Sequence, residues 1–337
     1  MKFKLGFTGL ILSLLLLSAC QPATEGVVAI EGKTMGTTYH IKWVPTDNSP
    51  SVTAMQTEID QALVKVNKEM STYDPNSELS VFNQSPAGEA MTVSDGTATV
   101  IKEAKRLGEL TGGVLDVTVG PLVNLWGFGP QARPETIPAP DVIAEAKSRT
   151  GLKYLRIDGN QLSKSHEDLY VDLSTIAKGY GVDVVADILH AHGVESYLVE
   201  IGGEMRLAGT KPGAVEWRVA VEKPVSSERS VAQIIGVGNN AVATSGDYRN
   251  YFEQDGIRYS HIIDPTTGYP IQHNLVSVTV VHPSCMTADG LATAIDVMGY
   301  EKGLAFAEKN NLAVLLITRE NDGFKSYTSK QFEPYLR

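Results

Sequence analysis

The first twenty residues constrain this chain more than any other stretch. Met1-Lys2-Phe3-Lys4 carries two lysines, residues 5–17 form an apolar run broken only by glycine and hydroxyl residues, and Leu17-Ser18-Ala19-Cys20 closes it. A short basic start, a short apolar core and small residues before a cut describe a secretory signal. A cysteine directly after the small residues makes it a lipoprotein signal, with Cys20 as the lipidated first residue of the mature chain. The apolar run is shorter than the roughly 20 residues a membrane-crossing helix needs, and a polar spacer, residues 21–26, follows at once. The consequence for folding is direct. The chain has two cysteines, and lipidation of Cys20 leaves Cys285 without a partner. No disulfide framework is available despite the export, so a hydrophobic core must supply the stability. Cys285 is expected as a buried small hydrophobe rather than a nucleophile.

Residues 1–19 are therefore read as signal, 20–30 as an anchored linker and 31–337 as the folded domain, long enough for one large unit or two intimate lobes. The net charge of -10 argues against a broad phosphate-backbone surface, so no nucleic-acid partner is expected. Residues 34–44 read as an early strand. Val52, Met55, Ile59, Leu63, Val66 and Met70 recur at helical spacing. Further helices are expected over 97–110, 141–147, 177–190, 288–298 and 301–308. Strands are expected over 170–172, 196–201, 217–221, 275–281 and 313–318. Residues 127–140, rich in proline, read as a surface excursion. Helices and strands mix without a strict βαβ beat, which predicts an α+β (mixed α/β) fold, with helices packed on mixed or antiparallel sheets.

Three motifs carry possible chemistry. Asp289 and Thr293 lie four apart in Asp289-Gly290-Leu291-Ala292-Thr293, so on a helix they share one face. A carboxylate and a hydroxyl suit a hard cation such as Mg²⁺, although on spacing alone the plainer reading is that Asp289 caps the helix. His261 sits where Tyr259-Ser260-His261-Ile262-Ile263 runs into Asp264-Pro265-Thr266-Thr267-Gly268. An imidazole fixed there could exchange a proton near neutral pH or be purely structural. In residues 171–181 a strand end, a turn and a helix start bring Lys178 near amides that can hold phosphate, with a capped helix and a solvated lysine as the plainer reading. Gly112-Gly113-Val114-Leu115-Asp116 and Ile201-Gly202-Gly203-Glu204 add two glycine turns. Rossmann, zinc-ligand and nucleophile-elbow patterns are absent.

Thr34-Met35-Gly36-Thr37, Met70-Ser71-Thr72-Tyr73 and residues 113–127, 172–179, 260–268 and 289–294 together resemble the ApbE family, lipoproteins that act as FAD:protein FMN transferases. The motifs run in order over essentially the whole mature chain. The resemblance implies Mg²⁺ held by Asp289, Thr293 and the backbone carbonyl of Thr175. It implies FAD contacts at Met35, Tyr73, Val114, Leu115, Asp116, Asp172, Lys178 and Ile263, and His261 as the catalytic histidine. The implied reaction moves the FMN part of FAD to a threonine hydroxyl and releases AMP. The implied acceptors are subunits of the sodium-pumping quinone reductase or the Rnf complex. The implied location is a lipid anchor facing the periplasm, at the inner membrane, although Gln21 rather than aspartate follows Cys20. Two other readings remain open: a Mg²⁺-dependent FAD pyrophosphatase, and a non-catalytic flavin-binding lipoprotein.

Overall fold

Eight antiparallel strands stand side by side in the same order in space as in the chain: β1 (Val28–Thr34), β2 (Thr37–Trp43), β3 (Tyr197–Ile201), β4 (Glu204–Ala208), β5 (Ala241–Ser245), β6 (Leu275–His282), β7 (Ala313–Glu320) and β8 (Gly323–Thr328). This computed structural model describes residues 26–129, 136–224, 230–246, 250–321 and 323–337. The signal and Cys20 lie outside the described residues. Eight helices complete the frame: α1 (Val52–Met70), α2 (Glu78–Gln84), α3 (Asp95–Leu110), α4 (Gly120–Leu125), α5 (Pro140–Ser148), α6 (Ala177–Ala191), α7 (Cys285–Met298) and α8 (Tyr300–Lys309). Four of them start at serine caps. Ser51, Ser77, Ser94 and Ser284 each accept a backbone N–H of the first turn, which satisfies donors that a helix start leaves orphaned.

The sheet is covered on both faces at its centre. On one face Leu275, Val278 and Val280 of β6 pack with Leu291, Ala292 and Ile295 of α7. On the other, Val276 and Val281 meet Trp217, Val219, Ile235 and Phe332. β6 is accordingly buried at every position but His282, and it reads as an apolar run rather than an alternation. α1 and α6 cover β1–β3 through Met55, Ile59, Leu63, Val182, Val185 and Leu189. Cys285 lies fully buried in that cluster. Burial pushes its thiol well above the usual range, so it packs as a small hydrophobe. No helix among the described residues is long and apolar enough to cross a membrane.

Several expected elements shift. The single strand expected over 34–44 is a hairpin, because Met35 and Gly36 both take positive φ (49° and 72°) and form a tight two-residue turn. Its first strand escapes the apolar pattern because Gly32 sits opposite Tyr39, whose ring lies 2.5 Å from where a Cβ would be. β1 begins at Val28, inside the stretch read as linker. Residues 170–172 are extended but pair with no strand. Instead the Asn83 side chain bonds both the Val171 N–H and its carbonyl at 2.8 Å, a side-chain substitute for a neighbouring strand. α7 begins at Cys285 rather than 288, capped by Ser284. Asp289 is therefore in the second turn and is not the cap.

Candidate active site

The helix-to-sheet packing leaves a cavity of about 430 Å³ between α6, α7, the β3–β4 turn and the loops after β5 and residue 260. Tyr73, Val114, Leu115, Asp116, Asp172, Thr175, Lys178, His261, Ile263, Asp289 and Thr293 all line it. Met35 is the one nominated residue outside the lining; it sits at the β1–β2 turn with its thioether against Gly181 of α6.

The deep wall is built by two helices that touch backbone to backbone. A Cβ on Gly179 would lie 2.4 Å from the Cys285 carbonyl oxygen, so only glycine permits this approach. It brings Lys178 on α6 to Asp289 on α7: Lys178 Nζ is 3.7 Å from Asp289 Oδ1 and 2.7 Å from Glu204 Oε1 at the start of β4. Asp289 Oδ2 accepts the Gly179 N–H at 2.9 Å. Gly179 is the third residue of α6, so its N–H has no carbonyl to serve within the helix, and Asp289 supplies the acceptor; Thr175 lies in the turn just before the helix. Thr293 Oγ1 is 3.2 Å from Ser245 Oγ. Burial would lower the lysine, but the facing Asp289 and Glu204 carboxylates outweigh it and hold the ammonium above its usual range. Burial pushes Glu204 up to about 7, against the pull of Lys178. It raises Asp289 as well, against Lys178 and the Gly179 N–H. For both carboxylates burial is the larger cause and the lysine charge opposes it.

The opposite rim carries His261. Its Nδ1 donates to the Asn250 carbonyl at 3.0 Å. A carbonyl can only accept, so the neutral ring carries its proton on Nδ1 and leaves Nε2 as the base. Burial lowers the imidazole below its usual value, partly offset by that carbonyl and aided by the Lys178 charge. An aromatic run braces this side: Trp126 stacks on Tyr259, Tyr259 on Phe252 and Phe252 on Phe128, with centroids 5.0–5.6 Å apart. Asp116 Oδ1 is held by the Thr118 N–H and hydroxyl at 2.8 and 2.6 Å. Tyr73 stands at the mouth, 70% exposed.

A metal fits this donor set only as a hard cation. No group of three His, Cys, Asp or Glu that could hold a metal occurs among the described residues. One carboxylate, one hydroxyl and one backbone carbonyl leave most of a coordination shell to waters and phosphate, the habit of Mg²⁺. Sequence reasoning passed over Glu204, Ser245 and Asn250. The only signal for Glu204 was its place after Gly202-Gly203, which marks a turn and not a carboxylate's partner.

The ApbE family model matches residues 35–316. A protein named FAD:protein FMN transferase from Vibrio cholerae is 58% identical over 96% of this chain and 97% of its own length. One of the same name from Haemophilus influenzae is 50% identical over 94% and 93%. The solved structure of the flavin transferase ApbE from Vibrio cholerae superposes with a TM-score of 0.86 at 57% identity, covering 92% of this chain and 99% of that one. The apo flavinyl transferase ApbE of Pseudomonas stutzeri gives 0.85 at 42% identity, over 92% and 96%.

Proposed function

Because the chain belongs to the ApbE family, we propose that it uses Mg²⁺ to move the FMN moiety of FAD onto a threonine hydroxyl of a protein acceptor, releasing AMP. The enzyme is a flavin transferase. The observation that carries the finer reading is the opposition, across one cavity, of a deep wall that sets Lys178 beside the oxygen donors Asp289 and Thr293 and a rim that carries a fixed imidazole.

Atom by atom, the acceptor hydroxyl gives its proton to His261 Nε2 as its oxygen bonds to the FMN-side phosphorus. The pyrophosphate P–O bond then breaks, and AMP departs with the bonding pair. Lys178 orients the phosphates and offsets charge gathering on their oxygens. Asp289, Thr293 and the Thr175 carbonyl would hold Mg²⁺, which when bound supplies further neutralisation and alignment. Val119, Val123 and Phe128 give the cavity an apolar side that limits competing water.

Acceptor subunits of the sodium-pumping quinone reductase or the Rnf complex, and a periplasm-facing anchor at the inner membrane through lipidated Cys20, belong to the same proposal. A tether would confine enzyme and membrane-bound acceptor to one surface. Incubation with FAD, Mg²⁺ and a candidate subunit, followed by intact mass, tests the chemistry. The expected result is an acceptor carrying one FMN phosphoester. Free FMN and AMP with an unmodified acceptor would make it a pyrophosphatase, and intact FAD a carrier. For the anchor, Cys20→Ser should give unlipidated precursor in membrane fractionation; a membrane-held, lipidated product would overturn that assignment.

A further inference from the structure

Among the described residues the cavity is lined by more carboxylates than cations. Asp116, Asp172, Glu204 and Asp289 all line it, and Lys178 is the one lysine or arginine among its described lining residues. Glu204 has neither a metal nor a cofactor role in the reaction above, yet its side chain is only 4% exposed and grips Lys178 at 2.7 Å. Its second oxygen, Oε2, is buried and meets no hydrogen-bond partner among the described residues. The carboxylate is thus only half answered by the lysine, and its remaining charge acts on the cavity.

Resting on the Mg²⁺ and FAD reading, we propose that Glu204 is a positioning residue that holds Lys178 at the cofactor phosphates and makes phosphate binding conditional on the divalent cation. Lys178 lies between two carboxylates. Without a cation, one ammonium and two carboxylates leave this cluster one negative charge in excess, and a pyrophosphate is repelled. A divalent cation taken by Asp289 turns the excess positive. It also draws Asp289 away from the lysine, so Glu204 alone then fixes the ammonium. Interactions of this range are strong because the groups are buried.

The test is FAD affinity, by flavin fluorescence, in EDTA and in Mg²⁺, with Mg²⁺ titrated separately by calorimetry. Wild-type affinity should rise at least about tenfold with the metal. Glu204→Gln should bind FAD about tenfold or more tighter in EDTA, so that the metal gains it only a few-fold, while Glu204→Asp restores the dependence. A Glu204→Gln protein with the wild-type ratio overturns the inference and leaves the metal site standing. A wild-type protein indifferent to Mg²⁺ overturns the metal site and the inference with it. Should Glu204→Gln fail to fold, Lys178→Met decides: its metal-free FAD binding should fall about tenfold or more, and wild-type binding there would overturn the proposal.

Discussion

The two sides of the cavity are made differently. Lys178, Glu204, Asp289 and Thr293 stand on α6, β4 and α7, elements packed into the core, and Asp289 and Glu204 are each 3% exposed. The rim is a loop and a two-stranded hairpin, Tyr251–Gln254 with Ile257–Ser260, held by aromatic stacking, with Tyr73 open to solvent. Charge that develops on phosphate is best met by groups fixed in place and shielded from water. On the proposed reading a protein acceptor enters at the rim, where Tyr73 is open to solvent, and the buried groups of the deep wall handle the charge.

The sharpest break in that contrast is Asp289→Ala. It removes the carboxylate a hard cation needs and leaves the Lys178 ammonium leaning on Glu204 alone. Metal-dependent transfer should fall on the order of 10³-fold, while the fold survives because α7 keeps its Ser284 cap and its apolar face. Calorimetry with Mg²⁺ in the presence of FAD, beside circular dichroism, separates the two; unchanged metal affinity would remove Asp289 from the site. His261→Ala tests the rim. FAD and Mg²⁺ binding should persist, since their nominated contacts lie elsewhere, and single-turnover transfer should drop on the order of 10²-fold, the lower end for a lost general base. A loss explained wholly by weaker FAD binding would make it a binding residue.

Gly179→Ala reaches the deep wall through packing alone. The added methyl would sit 2.4 Å from the Cys285 carbonyl, and backbone cannot swing aside as a side chain can. Separating α6 from α7 should cost about 1–3 kcal/mol, somewhat offset by the better helix propensity of alanine. A lowered Tm with weakened Mg²⁺ binding is expected. A stabilised protein would show that the helices are not in contact as described.

The deep wall was also the more legible side. Asp289 and Thr293 could be placed on one helix face because i,i+4 spacing is a local property. Even so, α7 begins one turn earlier than its apolar pattern suggested, because Cys285 and Met286 look no more helical than the loop before them. Long-range partners left no trace. Nothing near Val171 predicts that Asn83, 88 residues away, would take the place of a strand. Nothing near Glu204 predicts Lys178. The Asn250 carbonyl that sets the tautomer of His261 is backbone, and carries no residue signature at all.

The smallest expected effect couples the two sides. Burial lowers His261 first, and the Lys178 charge lowers it further against the Asn250 carbonyl. A lowered value keeps the ring neutral to more acid pH than an ordinary histidine near 6.5. The base form therefore persists to more acid pH, and the acid limb of kcat/KM, which reports the free enzyme, should lie below that of an ordinary histidine. The unfolded chain takes up that proton more readily than the folded one. The same group therefore contributes a loss of stability as pH drops below about 6.5. In Lys178→Met one cause of the lowering is gone, so the titration midpoint should move up, toward the ordinary value. Proton NMR of the His261 ring across a pH series, without metal or FAD, reads this directly and does not depend on residual activity. A midpoint that stays in place, or moves down, would mean that the deep wall's lysine exerts no field at the rim. The two sides of the cavity would then act on the cofactor independently.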